Sequence, residues 1–282
     1  MPKTALSIQF QDFDLTLQQL SGALHVRSIM SQPLTTIAPD ADAAAFFARP
    51  EVEGFDCVPV EHDERIIGMV YRVDLPNAPG PRADEAMRPL HCVPTISGAA
   101  TVDALIRAMH ATNEHFWLVL NDTAINAIVT RSDLARLPVR MLTMCRIVHL
   151  ERLMDELIRT NAPDEAWVAA LTDKRRAKLS EVKQQATERN EQIDLLESTS
   201  FSDKIEILRK HLGRKADADD LGGINTLRDQ LMHARESSSD EAGINQFLRR
   251  FHRLDQFVEA WTRELRPDPA TSPPSPTATP SA

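Results

Sequence analysis

Gly68-Met69-Val70-Tyr71-Arg72-Val73-Asp74-Leu75 and Ala127-Ile128-Val129-Thr130-Arg131-Ser132-Asp133-Leu134 are two versions of one phrase. Each opens on an apolar run suited to a strand, passes an arginine and reaches an acid followed by leucine. A second echo precedes each phrase: Val26-Arg27-Ser28-Ile29-Met30-Ser31-Gln32-Pro33 against Asp84-Glu85-Ala86-Met87-Arg88-Pro89. Met87 follows Met30 by 57 residues and Asp133 follows Asp74 by 59, which makes the pair a tandem repeat of one supersecondary unit. Between the echoes both copies keep the same order. An extended start leads to an Ala-rich helix (42 to 48; 101 to 112), then to two apolar strands (57 to 60 with 66 to 71; 117 to 120 with 124 to 129). Asp63-Glu64 and Asn121-Asp122 supply turn chemistry between the strands. Asp74 and Asp133 are expected to begin or cap a closing helix, where an acid suits the positive helix end.

This tandem, over residues 22 to 136 or roughly two fifths of the chain, resembles a cystathionine-β-synthase-type (CBS) domain pair. The resemblance implies two βαββα units and a site for an adenine nucleotide as regulatory ligand. In such pairs the residues matching Thr130 and Asp133 hold a phosphate and the ribose diol. A hydroxyl and free turn N–H groups suit the phosphate, and a carboxylate suits the diol. Arg131 adds charge nearby, and the backbone at Val93 and Pro94 frames the base. The first repeat departs from the pattern, since Tyr71 stands where threonine is expected, although Asp74 remains. Ala127 replaces the usual glycine in the second. Apart from the resemblance, Thr130 and Asp133 read equally well as a helix cap.

Composition narrows the remaining classes. Hydrophobic residues make up 42% of 282, enough for two ordinary cores, and aromatics only 5%, which favours helical layers over an aromatic-filled sandwich. Cys57, Cys92 and Cys145 stand far apart, so neither a disulfide framework nor a zinc ribbon is supported, and buried thiols in a reducing compartment are expected. No basic-then-apolar leader and no run of 18 apolar residues is found; a cytoplasmic protein without membrane contact is expected. Residues 1 to 137 hold 10 Lys+Arg against 17 Asp+Glu, and 138 to 266 hold 22 against 23. With a net charge of -9 there is no general basic footprint for nucleic acid, so any such function must come from particular residues.

After Leu137-Pro138 the alternation stops and helical spacing takes over, from Met141 to Ile158 and in runs over 164 to 198, 201 to 212, 224 to 236 and 241 to 265. Gly213 and Gly222-Gly223 read as stops between helices. Within this half, Asn225-Thr226-Leu227-Arg228-Asp229-Gln230-Leu231-Met232-His233 resembles the Arg-x(4 to 6)-His motif of the HEPN superfamily of small helical bundles, and 200 to 208 resembles the helix that precedes it. The resemblance implies a metal-independent endoribonuclease acting as a homodimer on RNA, with no catalytic cofactor and products ending in 2′,3′-cyclic phosphate. His233 would move the proton, Arg228 would stabilise the phosphorane, and Asp229 would be the polar residue after the arginine. No His/Cys/Asp set has metal-ligand spacing. On a straight helix positions five apart diverge by about 140°, so the site needs either a helix starting near Arg228 or a composite across a dimer axis. Asp229 and His233, four apart, also suit a surface ion pair. Lys174, Arg175, Arg176 and Lys178 form a basic cluster that fits RNA phosphates or a solvated helix face.

The expected plan is α+β: an N-terminal segment (1-21), repeats at 22-81 and 82-137, a helical bundle at 138-266, and a Pro/Ser/Thr-rich disordered tail (267-282). In function it reads as a nucleotide-sensing CBS pair regulating a HEPN-like endoribonuclease. The other reading is a non-catalytic nucleotide sensor or dimerisation scaffold.

Overall fold

The computed structural model describes residues 15–75, 80–112, 114–232 and 241–266. His233 and the tail from 267 lie outside them, as do residues 1–14. The chain divides into two compact units. Among the described residues, one comprises 15–142 with 241–248 and the other comprises 143–232 and 249–266.

The first unit holds helix α1 (15–23), two short helices α2 (Ala43–Phe47) and α3 (Ala83–Ala86), and helix α4 (Val102–Thr112). Asp42 caps α2 by accepting from the Ala45 N–H at 2.9 Å, and Thr101 serves α4 in the same way through Ala104 at 3.1 Å. Its strands are β1 (Cys57–His62), β2 (Arg65–Tyr71), β3 (Arg88–Pro89), β4 (Thr95–Ser97), β5 (Phe116–Asn121) and β6 (Ala124–Thr130), in two sheets ordered β1-β2-β3 and β4-β5-β6. Both hairpins are antiparallel, and their turns carry left-handed residues: Asp63 and Glu64 (φ 48° and 60°), and Asp122 (φ 51°). Positive φ matches the twist of the flanking strands, and the short Asp side chain tolerates it better than most residues other than glycine. Each hairpin breaks register near its tip, between Val60 and Glu61 and between Val119 and Leu120, 59 residues apart. In the first hairpin this bulge re-phases the alternation, so that Ile66, Met69 and Tyr71 share the face turned to the other sheet.

The repeats exchange their starts. Ser31 bridges antiparallel to Ile128 in β6, while β3, which begins at Arg88, runs antiparallel to β2. Each repeat therefore places the chain preceding it against the closing strand of the other. Gly68 is required by this crossing, because a Cβ there would meet the Arg88 carbonyl at 2.6 Å. Apolar residues fill two layers. Phe46, Phe47, Val58, Val60 and Val70 pack between the first sheet and its helix, and Ile66, Met69, Val93, Phe116 and Leu118 pack between the sheets.

The second unit is helical. It draws on α5 (Leu137–Asn161), α6 (Asp173–Glu188), α7 (Phe201–Lys210), α8 (Lys215–Met232) and α9 (Glu241–Leu265), with α7 packed on α8. Gly213 (φ 69°) ends the α7 region in the left-handed conformation that helix termini favour. Three expectations need correction. Gly222-Gly223 lie inside α8 instead of ending a helix. Two helical glycines cost about 1 kcal/mol each relative to alanine, and the buried stripe Ala218, Leu221, Ile224 and Leu227 outweighs that. The run over 164 to 198 is broken: α6 stops at Glu188, and Asn190 turns the chain with φ 54°. Finally, α8 begins at Lys215, which removes the possibility of a helix starting near Arg228.

Candidate ligand site

Strand β6 ends at Thr130, whose extended backbone (φ -121°, ψ 169°) feeds a 3-10 turn over Arg131–Ala135. Asp133 is the third residue of this turn and folds back over its start. Its Oδ2 accepts from the Thr130 N–H at 2.7 Å and from the Thr130 hydroxyl at 2.9 Å. A carboxylate at the third position satisfies the otherwise orphan N–H of the cap residue, as in a capping box. The other oxygen, Oδ1, meets Arg136 Nη2 at 2.7 Å and the Ser31 hydroxyl at 3.5 Å. Arg136 Nη2 also donates to Ser31 Oγ at 2.8 Å, and Nη1 donates to the Met30 carbonyl at 3.2 Å. The result is a closed network in which Asp133 is 5% exposed. Ser132 lies 2.7 Å from the Thr130 hydroxyl. Such saturation is what permits an ionised carboxylate to be buried.

The other sequence-predicted residues fall into different roles. Arg131 is buried and points elsewhere: Nε donates to the Glu114 carbonyl and Nη1 to Asn245 Oδ1, both at 2.9 Å. These contacts tie the turn to the Glu114 carbonyl and to Asn245. Val93 is buried between the sheets, and the Pro94 carbonyl accepts from the Leu118 N–H at 3.0 Å.

Asp74 sits in a 3-10 turn, Arg72–Asp74, without capping it. Its Oδ2 takes both Nη2 and Nε of Arg88, at 2.6 and 3.0 Å. The Arg88 guanidinium lies 4.1 Å above the Tyr71 ring, which in turn packs tilted on Phe116 at 5.9 Å. Burial, with Cys57 beside it, pushes the Tyr71 hydroxyl above its ordinary pKa, and burial pushes the Cys57 thiol up to about 12. Both side chains of the Asp74–Arg88 pair are well exposed, at 39% and 49%.

In the helical unit Arg228 and Asp229 are neighbours on α8, with Nη1 to Oδ1 at 3.6 Å, both solvent-accessible. The basic cluster of α6 is half committed. Arg175 holds Asp203, and Arg176 holds the Leu171 carbonyl at 2.9 Å and Asp173. Sequence reading missed a cluster between α5 and α7: the buried Lys204 Nζ lies 2.9 Å from both the buried Asp155 and the half-buried Glu151. It also missed Arg136, Ser31 and Arg88. The repeat offset offered one signal, because Ser31 and Arg88 are 57 residues apart, like Met30 and Met87.

Two antiparallel hairpins, exchanged starts and an acid in the turn after each closing strand together define the unit. Residues 26–78 match the family model of the CBS domain. This span is the first repeat, which carries Tyr71 and Asp74. Solved structures with CBS domains are similar at low identity. The CBS domain of a bacterial CNNM/CorC family Mg2+ transporter in complex with ATP is 16% identical (TM-score 0.36; 46% of this chain, 96% of that one). CBSX2 in complex with AMP is 16% identical (TM-score 0.36; 42% and 98%), and a CBS domain from a membrane protein of Sphaerobacter thermophilus is 19% identical (TM-score 0.36; 45% and 95%). No curated protein matches the chain. The chain is thus a mixed α+β protein with CBS-like sheets and a helical C-terminal region. Among the described residues no helix is long and apolar enough to cross a membrane, and no three His, Cys, Asp or Glu side chains stand together as a metal site would require.

Proposed function

We propose that the paired repeats are a regulatory module that binds an adenine nucleotide at the junction after β6, with Asp133 as acceptor for the ribose diol and Thr130 beside the phosphate. The observation that carries this reading is Asp133: a buried carboxylate whose Oδ1 is held by an arginine from the solvent side. A buried carboxylate with an exchangeable partner suits a polyhydroxyl ligand, since the diol replaces one set of donors with another. Asp74, with Tyr71 and Arg88 in place of a free hydroxyl, is the weaker of the two junctions for the same ligand. A panel of AMP, ADP and ATP tests the assignment by thermal shift. Ligand at 100 times its Kd should stabilise the fold by about 2.7 kcal/mol, and an Asp133→Ala variant should show no such gain. An equal shift in both proteins would move the site elsewhere.

For the helical unit the proposed output is metal-independent RNA cleavage by Arg228, Asp229 and His233 of a homodimer. The motif resemblance supports it, as does the accessible position of Arg228 on α8. The contrasting reading is a bundle that only dimerises or docks a partner. Labelled RNA with wild type and His233→Ala separates them: cleavage by wild type alone is expected, and equal results from both proteins would remove the catalytic role.

A further inference from the structure

We infer that Arg136 is an exchangeable plug in the nucleotide site, released from Asp133 by the ribose and taken up by the phosphate of the same ligand; this rests on the reading of Asp133 as ribose acceptor. The two oxygens of Asp133 are committed differently. Oδ2 is bound twice by Thr130, three residues away in the same turn, and this local pairing holds the turn together. Oδ1 is bound by Arg136, whose side chain is 43% exposed while that of Asp133 is 6% exposed. The other contacts of Arg136 are one hydroxyl, of Ser31, and one carbonyl, of Met30. The guanidinium can turn out to solvent without unfolding the turn, because its side chain is 43% exposed and it binds Oδ1, not the Oδ2 that Thr130 holds.

The charges dictate what must accompany that release. A ribose diol brings neutral donors to Oδ1 and displaces a cation that was neutralising the carboxylate. With a bare nucleoside the guanidinium loses its anionic partner and gains none. With a nucleotide the phosphate takes it up, and bidentate pairing of arginine with phosphate is among the strongest charge-assisted contacts. Arg136 therefore sets a preference for phosphorylated over unphosphorylated ligand, and contributes nothing to base recognition.

Its position gives the exchange a mechanical consequence. The Arg136 N–H donates to the Asp133 carbonyl at 3.1 Å, and the Arg136 carbonyl accepts from the N–H groups of Val139 and Arg140 at 3.1 and 3.2 Å. The plug is thus also the residue whose carbonyl opens α5. The side chain that the ligand takes up therefore belongs to the residue that precedes the first turn of that 25-residue helix.

Calorimetric titration of the full chain with AMP and with adenosine tests the plug. Wild type should prefer AMP. Arg136→Gln removes both the competitor for Oδ1 and the phosphate contact, so the ratio of adenosine Kd to AMP Kd should fall by about tenfold or more, the equivalent of one charge-assisted hydrogen bond. Arg136→Lys, which keeps the charge and preserves the fold if Gln does not, should retain most of the preference. Amide exchange in the first turn of α5 should change with AMP in wild type and not in Arg136→Gln. An unchanged ratio in Arg136→Gln, or a parallel loss of both affinities in that variant and in Arg136→Lys, overturns the plug while leaving the site. Wild type binding neither ligand, or Asp133→Asn binding both as well as wild type, overturns the site reading itself.

Discussion

Asp133 and Asp74 occupy matching places in the two repeats, yet one is 5% exposed and bound on both oxygens, while the other has a side chain 39% exposed with a single arginine on one oxygen. The exchange of repeat starts explains the difference. It brings Ser31 to the second acid and Arg88 to the first, because the same strand position holds a small hydroxyl in one copy and a guanidinium in the other. Where Ser31 leaves room, Arg136 reaches in from the same turn as Asp133 and completes a buried network. Where Arg88 arrives, it takes the acid and covers Tyr71. One architecture thus yields a sealed carboxylate and an open ion pair.

The contrast can be broken most severely at Asp133. Asp133→Ala leaves the Thr130 N–H without its acceptor, takes the anionic partner from Arg136 and should destabilise the fold by about 3 kcal/mol, the range for breaking a buried charged network. Chemical denaturation measures this directly, and a loss below about 1 kcal/mol would mean that the network is not formed. A carboxylate outside the repeats sharpens the comparison. Burial outweighs the opposing pull of Lys204 and pushes Asp155 up to about 6 from its ordinary 3.8. A raised folded pKa stabilises fully below the unfolded value and is lost as pH rises through the folded one. Wild type should therefore lose on the order of 2 kcal/mol relative to Asp155→Asn between about pH 4 and 7. Parallel pH profiles of the two proteins would contradict this.

Smaller effects belong to the first repeat. Tyr71→Ala removes the surface beneath Arg88 and the tilted contact with Phe116, and should cost about 1 kcal/mol. Asp74→Ala breaks an exposed pair and should cost about 0.2 to 1 kcal/mol, decreasing with salt. If Asp74→Ala proved as damaging as Asp133→Ala, the asymmetry between the repeats would be gone.

The hairpins were legible in the sequence because strand alternation and acidic turn residues are local signals, and both turns fall where Asp63-Glu64 and Asn121-Asp122 predict them. The bulges were not legible, since a one-residue register change leaves no mark on composition. Nor was the strand exchange, which joins Ser31 to β6 across nearly a hundred residues. At the site, Thr130 and Asp133 stood out by spacing, whereas Arg136 looked like any charged residue at a helix start. Its role comes from a contact three residues back that only the 3-10 geometry creates. The direction of Arg131 was not legible either, because adjacency in sequence does not fix direction: its side chain reaches the Glu114 carbonyl and Asn245. In the helical half the apolar period ran through Gly222-Gly223 and outweighed the glycine signal.

Calorimetric titration of AMP into wild type, Asp133→Asn and Asp74→Asn tests most directly the claim that the two repeats have diverged into one nucleotide site and one ion pair. Wild type and Asp74→Asn should bind with similar affinity and one site per chain, and Asp133→Asn should lose binding by at least about tenfold. Loss in Asp74→Asn with binding retained in Asp133→Asn would contradict the account.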